Sequence, residues 1–116
     1  MTITATRPKA LVLRGPGTNC EDETLRALRM GGADADLLRS DVAAREPGRL
    51  DGYGVIVFAG GFSYGDDLAA GRVWGASLRN HLGVALRAHV DRGGLILGVC
   101  NGFQVLVESG LFEPEA

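Results

Sequence analysis

The chain has 116 residues, 46% of them hydrophobic, and a formal net charge of −2. That length limits it to one domain, and the mild negative charge argues against nucleic acid or an anionic membrane surface as a main partner. No apolar run approaches the ~18 residues that span a bilayer, and the opening "MTITATRP" lacks the apolar stretch of a secretory signal.

Residues 9–13, "KALVL", form a short apolar run bounded by Arg-Gly-Pro-Gly, which predicts a strand buried on both faces. In the following "TNCEDETLRALRMGG", Thr18 with Glu21 three residues later is a capping-box pattern. The acidic residues Glu21, Asp22 and Glu23 fall where a helix dipole favours them. Leu25 and Leu28 give that helix an inner face, and Gly31-Gly32 ends it. Residues 34–39, "DADLLR", predict a second strand, and the polar stretch 40–52 with Pro47-Gly48 reads as a loop. A third buried strand is expected at 54–59, "GVIVFA", followed by the glycine-rich loop "GGFSYGDD" at 60–67. Trp74, Leu78, Leu82, Ala85, Leu86 and His89 recur at helical spacing over about 69–90. A fourth strand, "LILGV" at 95–99, leads into a short helix, "NGFQVLVESG", ended by Gly110. The order β-α-β-β-α-β-α predicts a doubly wound, mainly parallel α/β sheet of flavodoxin-like class with helices on both faces. The chain stops at "LFEPEA", just after a helix, so the end of this small sheet reads as a C-terminal truncation of the domain.

In such sheets ligands sit beyond the carboxyl ends of the strands, where three loops are expected. "RGPGTNC" (14–20) partly imitates a dinucleotide fingerprint, with Asp34 or Asp36 at the distance of a ribose ligand. However, Cys20 occupies the third glycine position and Pro16 removes an N–H from the phosphate cradle. "GVCNGFQ" (98–104) places Cys100 after a strand and before a helix, where unpaired N–H groups and the positive helix end favour a thiolate. Glycines two residues before and after it suit the sharp turn of a nucleophile elbow, which aims the N–H of Asn101 at a developing oxyanion. The plain alternative is a packed thiol at a tight turn. "GGFSYGDD" faces the same edge, and Gly60-Gly61 offers a second backbone donor.

These segments carry a family resemblance. "PGTNC" (16–20), "GGFSYGDD" (60–67), "AAGR" (69–72) and "LGVCNGFQ" (97–104) resemble, in order and over essentially the whole chain, the glutamine amidotransferase subunits of phosphoribosylformylglycinamidine synthase. The resemblance implies a partial class I amidotransferase domain over residues 1–116, acting in purine biosynthesis in the cytoplasm. It makes Cys100 the nucleophile that converts glutamine to a γ-glutamyl thioester, gives Gly61 and Asn101 the oxyanion-hole N–H groups, and places Gln104 and Phe62 against the substrate. It implies no cofactor or metal in this chain. ATP and Mg belong to the large synthase subunit, to which the ammonia passes, with a small accessory subunit as a further partner. It also places the family's catalytic His and Glu beyond the elbow helix, past Ala116.

Neither His81 nor His89 suits the missing base, because the helix carrying them runs back toward the amino ends of the strands. Cys20 reads as structural or site-lining, and Glu108 as a solvated residue turned away from the elbow. Two other readings stay open: a non-catalytic truncated subunit that docks a synthase, and a DJ-1-like cysteine hydrolase. The second is disfavoured by Asn101, where those hydrolases carry a His after the elbow Cys.

Overall fold

The computed structural model describes residues 7–15, 20–60 and 79–112. Within them, strand β1 (Lys9–Arg14) is followed by helix α1 (Glu21–Met30), β2 (Asp34–Arg39), α2 (Ser40–Arg45) and a 3-10 turn (Pro47–Leu50). Then come β3 (Val55–Phe58), α3 (Gly83–Asp91), β4 (Leu95–Gly98) and α4 (Asn101–Ser109). The four strands form one parallel sheet in the order β2-β1-β3-β4. This is the doubly wound, flavodoxin-like arrangement expected: the chain moves outward from β1 in one direction to β2 and in the other to β3 and β4.

The apolar runs are continuous because the two central strands are covered on both faces. On one face Leu11, Leu13, Ile56 and Phe58 pack against Leu86 of α3 and Leu106 of α4, while Ala43 of α2 and Leu50 of the 3-10 turn close the same core. On the other face Ala10, Val12, Val57 and Ala59 meet Leu25 of α1. Strand register carries these layers across the sheet, with Leu13 beside Phe58 and Phe58 beside Gly98.

Two segments depart from expectation. The stretch read as a loop at 40–52 contains α2 and the 3-10 turn. Burial of Ala43 and Leu50 supplies the stabilisation that these polar residues lack by propensity, and Pro47 starts the turn with its φ already fixed. The helix expected over 69–90 is interrupted at Leu82, whose φ and ψ of −122° and −2° separate the helical residues 79–81 from α3. The part of that expectation covering 69–78, the Thr18 cap and the loop 61–67 lie outside the described residues.

His89, in the last turn of α3, is fully buried, with Nε2 2.9 Å from the carbonyl oxygen of Leu95. A Cβ at Gly94 would come within 2.3 Å of that imidazole. Gly94→Ala is therefore expected to displace His89 and to destabilise the fold by about 1–3 kcal/mol, the usual range for overpacking. A Cβ at Gly83, in the first turn of α3, would meet nothing within 4 Å, so Gly83→Ala should stabilise by about 0.4–1 kcal/mol. Urea unfolding of the two variants measures both signs.

Candidate active site

The carboxyl ends of β1, β3 and β4 lie side by side, and the first two loops that leave them are joined. The N–H of Cys20, the residue that caps α1, donates to the carbonyl of Gly60 at 3.2 Å. That bond crosses the position between β1 and β3 where the strand order reverses, the usual place for a ligand crevice. Arg14, the last residue of β1, reaches Glu21 in the first turn of α1 at 3.6 Å. The glycine-rich loop begins here, but Gly61 and Phe62 lie outside the described residues.

Cys100 is exposed beyond β4 and caps the amino end of α4. Its φ of 50° and ψ of −115° make it the single residue other than glycine with positive φ among the described residues. Such a conformation costs on the order of 1–3 kcal/mol in an L-residue. The turn is held from both sides: the N–H of Val99 donates to the carbonyl of Phe58 at 3.2 Å, Gly102 N–H to Val99 at 2.8 Å, and Phe103 N–H to Cys100 at 2.9 Å.

The flanking glycines serve close approach rather than unusual dihedrals. A Cβ at Gly102 would lie 2.0 Å from the carbonyl oxygen of Phe58. One at Gly98 would lie 2.7 Å from Leu106 and 2.8 Å from the Gly102 carbonyl and the Phe103 Cα. The first turn of α4 is thus pressed onto the ends of β3 and β4, and the residue between them is forced into the strained turn. Asn101 is the first residue of α4, and Gln104 sits half-buried one turn along it.

Other candidate residues fall elsewhere. His89 is bonded to Leu95 at the start of β4, and Cys100 lies five steps further along the chain, roughly 16 Å at strand rise. His81 is exposed and precedes α3. Glu108 is half-buried rather than solvated. Asp34 and Asp36 lie at the amino half of β2, where Asp34 pairs with Arg7 at 3.9 Å. Asp36 accepts from the Tyr53 hydroxyl at 2.7 Å, a bond that holds the phenol above its ordinary pKa of 10.0. A ribose ligand would be needed at the opposite edge, so the dinucleotide reading of 14–20 fails on geometry. Among the described residues no group of His, Cys, Asp or Glu is arranged to hold a metal ion, and no helix is long and apolar enough to cross a membrane.

A doubly wound parallel sheet whose strand ends in a strained turn at a cysteine defines the nucleophile-elbow class of α/β proteins. Within that class, the chain belongs to the CobB/CobQ-like glutamine amidotransferase domain family, whose model matches residues 7–116. It is 44% identical over 103 residues, 89% of its length, to phosphoribosylformylglycinamidine synthase subunit PurQ of Dehalococcoides mccartyi. It is also 44% identical over 108 residues to the PurQ of Archaeoglobus fulgidus. The structure of PurLQS from Thermotoga maritima contains a chain that superposes with a TM-score of 0.73 at 35% identity, covering 93% of this chain and 47% of that one. The chain spans about two-fifths of the length of the curated relatives it matches, 40% for each of the two named first.

The strain at residue 100 is measurable through the side chain that causes it. Cys100→Gly is expected to be more stable than Cys100→Ala by about 1 kcal/mol, whereas Gly102→Ala should lose at least ~2 kcal/mol as α4 is pushed off β3. Chemical denaturation of the three variants reads both effects; equal stability of the glycine and alanine variants at 100 would contradict the strained turn.

Proposed function

We propose that this chain carries the nucleophile-bearing part of a glutaminase that supplies ammonia to phosphoribosylformylglycinamidine synthase. The observation that carries the reading is the strained, exposed Cys100 at the amino end of α4, supported by the relatives' names. The thiolate sulfur of Cys100 attacks the side-chain carboxamide carbon of glutamine. The oxyanion that forms is met by the N–H groups of Gly61 and Asn101, each donor of this kind contributing about 2.7–4 kcal/mol at the transition state. Collapse of the tetrahedral adduct expels ammonia once the leaving nitrogen is protonated and leaves a γ-glutamyl thioester. Water then hydrolyses the thioester to glutamate and the free thiol. Splitting one amide hydrolysis into two steps lowers each barrier. Gln104 and Phe62 contact the substrate.

The family resemblance places the acceptor chemistry, with its ATP and Mg, on a large synthase subunit alongside a small accessory subunit, and direct contact with the glutaminase suits an ammonia that must stay neutral and away from water. A proton acceptor for Cys100 is not supplied by His89, which is locked against Leu95. The isolated 116-residue chain is therefore expected to bind and be alkylated but not to turn over, since loss of triad members leaves only the contribution of the oxyanion hole and binding. The family match gives the DJ-1-like alternative no support.

A chloroketone analogue of glutamine should add once, at Cys100, faster than a chloroketone without the amino-acid portion, and excess glutamine should slow it. Cys100→Ala should take up no label, and the chain alone should release no measurable ammonia. Labelling that ignores glutamine would sink the substrate assignment, and steady ammonia release abolished by Cys100→Ala would overturn the expected inactivity.

A further inference from the structure

The peptide that leaves β3 is turned over relative to the strand. The carbonyl of Phe58 faces β4, where it accepts the N–H of Val99 at 3.2 Å. The N–H of Ala59 faces β1, where it donates to the carbonyl of Leu13 at 3.4 Å. Successive residues of a strand alternate in this way, so a continued strand would aim the Gly60 carbonyl at β4 again. Instead that carbonyl accepts the N–H of Cys20 at 3.2 Å, at the start of the helix that packs on β1 and β2.

The donor is itself held in place. The Cys20 carbonyl accepts the N–H of Thr24 at 3.1 Å and the Thr24 hydroxyl at 2.7 Å. Glu21, the next residue, is tied to Arg14 at the end of β1, at 3.6 Å. Gly60 is buried, and a buried carbonyl is costly to leave without a donor. The bond from Cys20 therefore fixes the direction of the whole peptide unit to which the Gly60 carbonyl belongs. The N–H of that unit is the N–H of Gly61. Gly61 lies outside the described residues, and the direction of its N–H follows here from covalent geometry alone: the unit is planar and trans, so its C=O and N–H point opposite ways. With the carbonyl turned toward Cys20 on the β1 side, the N–H is turned toward β4, beyond which Cys100 stands.

We propose that Cys20 is a positioning residue for the reaction at Cys100. Through its backbone N–H, and not its thiol, it turns the Gly60 peptide so that the following N–H faces the oxyanion formed when Cys100 attacks a carbonyl group. The junction of β1 and α1 thereby serves the chemistry at the end of β4, two strands away. The inference rests on the role given above to the Gly61 N–H in the oxyanion hole, and it does not depend on which acyl compound is attacked.

The test compares Cys20→Ala, which keeps the N–H, with Cys20→Pro, which removes it; Cys100 is the single thiol in both. Two reagents are used. 4-Nitrophenyl acetate acylates the sulfur: the thiolate attacks the ester carbonyl carbon, charge gathers on its oxygen, and 4-nitrophenolate leaves an acetyl thioester. Iodoacetamide alkylates the same sulfur by displacing iodide from a saturated carbon, with no oxyanion. Loss of an oxyanion donor costs about 100- to 1000-fold, so misdirecting one in Cys20→Pro should slow acylation at least tenfold, with alkylation within twofold of Cys20→Ala. Thr24→Val in the Cys20→Ala chain, which takes one donor from the residue 20 carbonyl and leaves the helix its backbone bond, should lower the acylation-to-alkylation ratio in the same sense, and keeps the test valid if Cys20→Pro fails to fold. An unchanged ratio, or equal slowing of both reagents, would overturn the positioning role. Because the ester carries no amino-acid portion, failure of glutamine to protect Cys100 would count against the glutaminase reading and leave this ratio untouched.

Discussion

The approach of Gly102 to the carbonyl oxygen of Phe58 sets the geometry of the whole carboxyl edge. Phe58 is the fully buried end of β3, and its carbonyl also accepts the N–H of Val99. The same oxygen therefore fixes the exit of β4 and limits how close the first turn of α4 can come. With any side chain at 102 the helix would stand off the sheet, Val105 and Leu106 would leave the core they share with Phe58, and the link at 99–101 would lengthen. Tight seating of α4 and the strained backbone at Cys100 are thus two aspects of one constraint: a helix held this close leaves too little chain to turn through a relaxed conformation.

Much of the frame is legible in the sequence because its signals are strong and local. Strands β1, β3 and β4 are runs too apolar to be anything but buried, and glycine pairs bracket α1 and the return into β4. The elbow is legible in spacing, but the reason differs. The glycines at 98 and 102 suggest a chain that needs freedom to turn, whereas the turn itself is made by Cys100 and the glycines yield space to Phe58, Leu106 and Phe103. Spacing reports that small residues are required without saying whether dihedrals or collisions require them. α2 is illegible because its order comes from burying Ala43 beside Leu50, a contact between separate elements that no periodicity in six residues reveals. The break at Leu82 is hidden for a related reason: Leu82 and Leu86 keep helical spacing and both reach the core, although the backbone between residues 81 and 83 is not helical.

The acidic residues of β2 show how topology decides between motif readings. Counted along the chain, Asp34 and Asp36 sit at a plausible distance from a Gly-x-Gly turn. In a parallel strand that distance spans the full length of the sheet, and both carboxylates stay at the amino half with Arg7 and Tyr53 as partners. The charges that fail as ligands lie instead on an edge strand, where charge discourages pairing with another chain.

The two cysteines occupy equivalent places, each capping a helix that begins at the carboxyl edge of the sheet. The helix dipole alone would not choose between them, but the charges around them differ: Glu21, Asp22 and Glu23 open α1, whereas the first turn of α4 has no acidic residue. Backbone conformation separates them further. Cys20 has φ of −105° and ψ of 19°, unstrained for any residue, and its N–H is spent on Gly60; Thr24 also donates its hydroxyl to the Cys20 carbonyl at 2.7 Å. It behaves as a joint between two loops. Cys100 holds a conformation that glycine would adopt at lower cost, in a turn that already contains glycines on both sides. A thiol at the one described non-glycine position with positive φ is the feature that packing does not explain, because an exposed side chain there fills no space in the core. The strain, more than the thiol's place at a helix end, is what separates a candidate nucleophile from a structural cysteine in this fold.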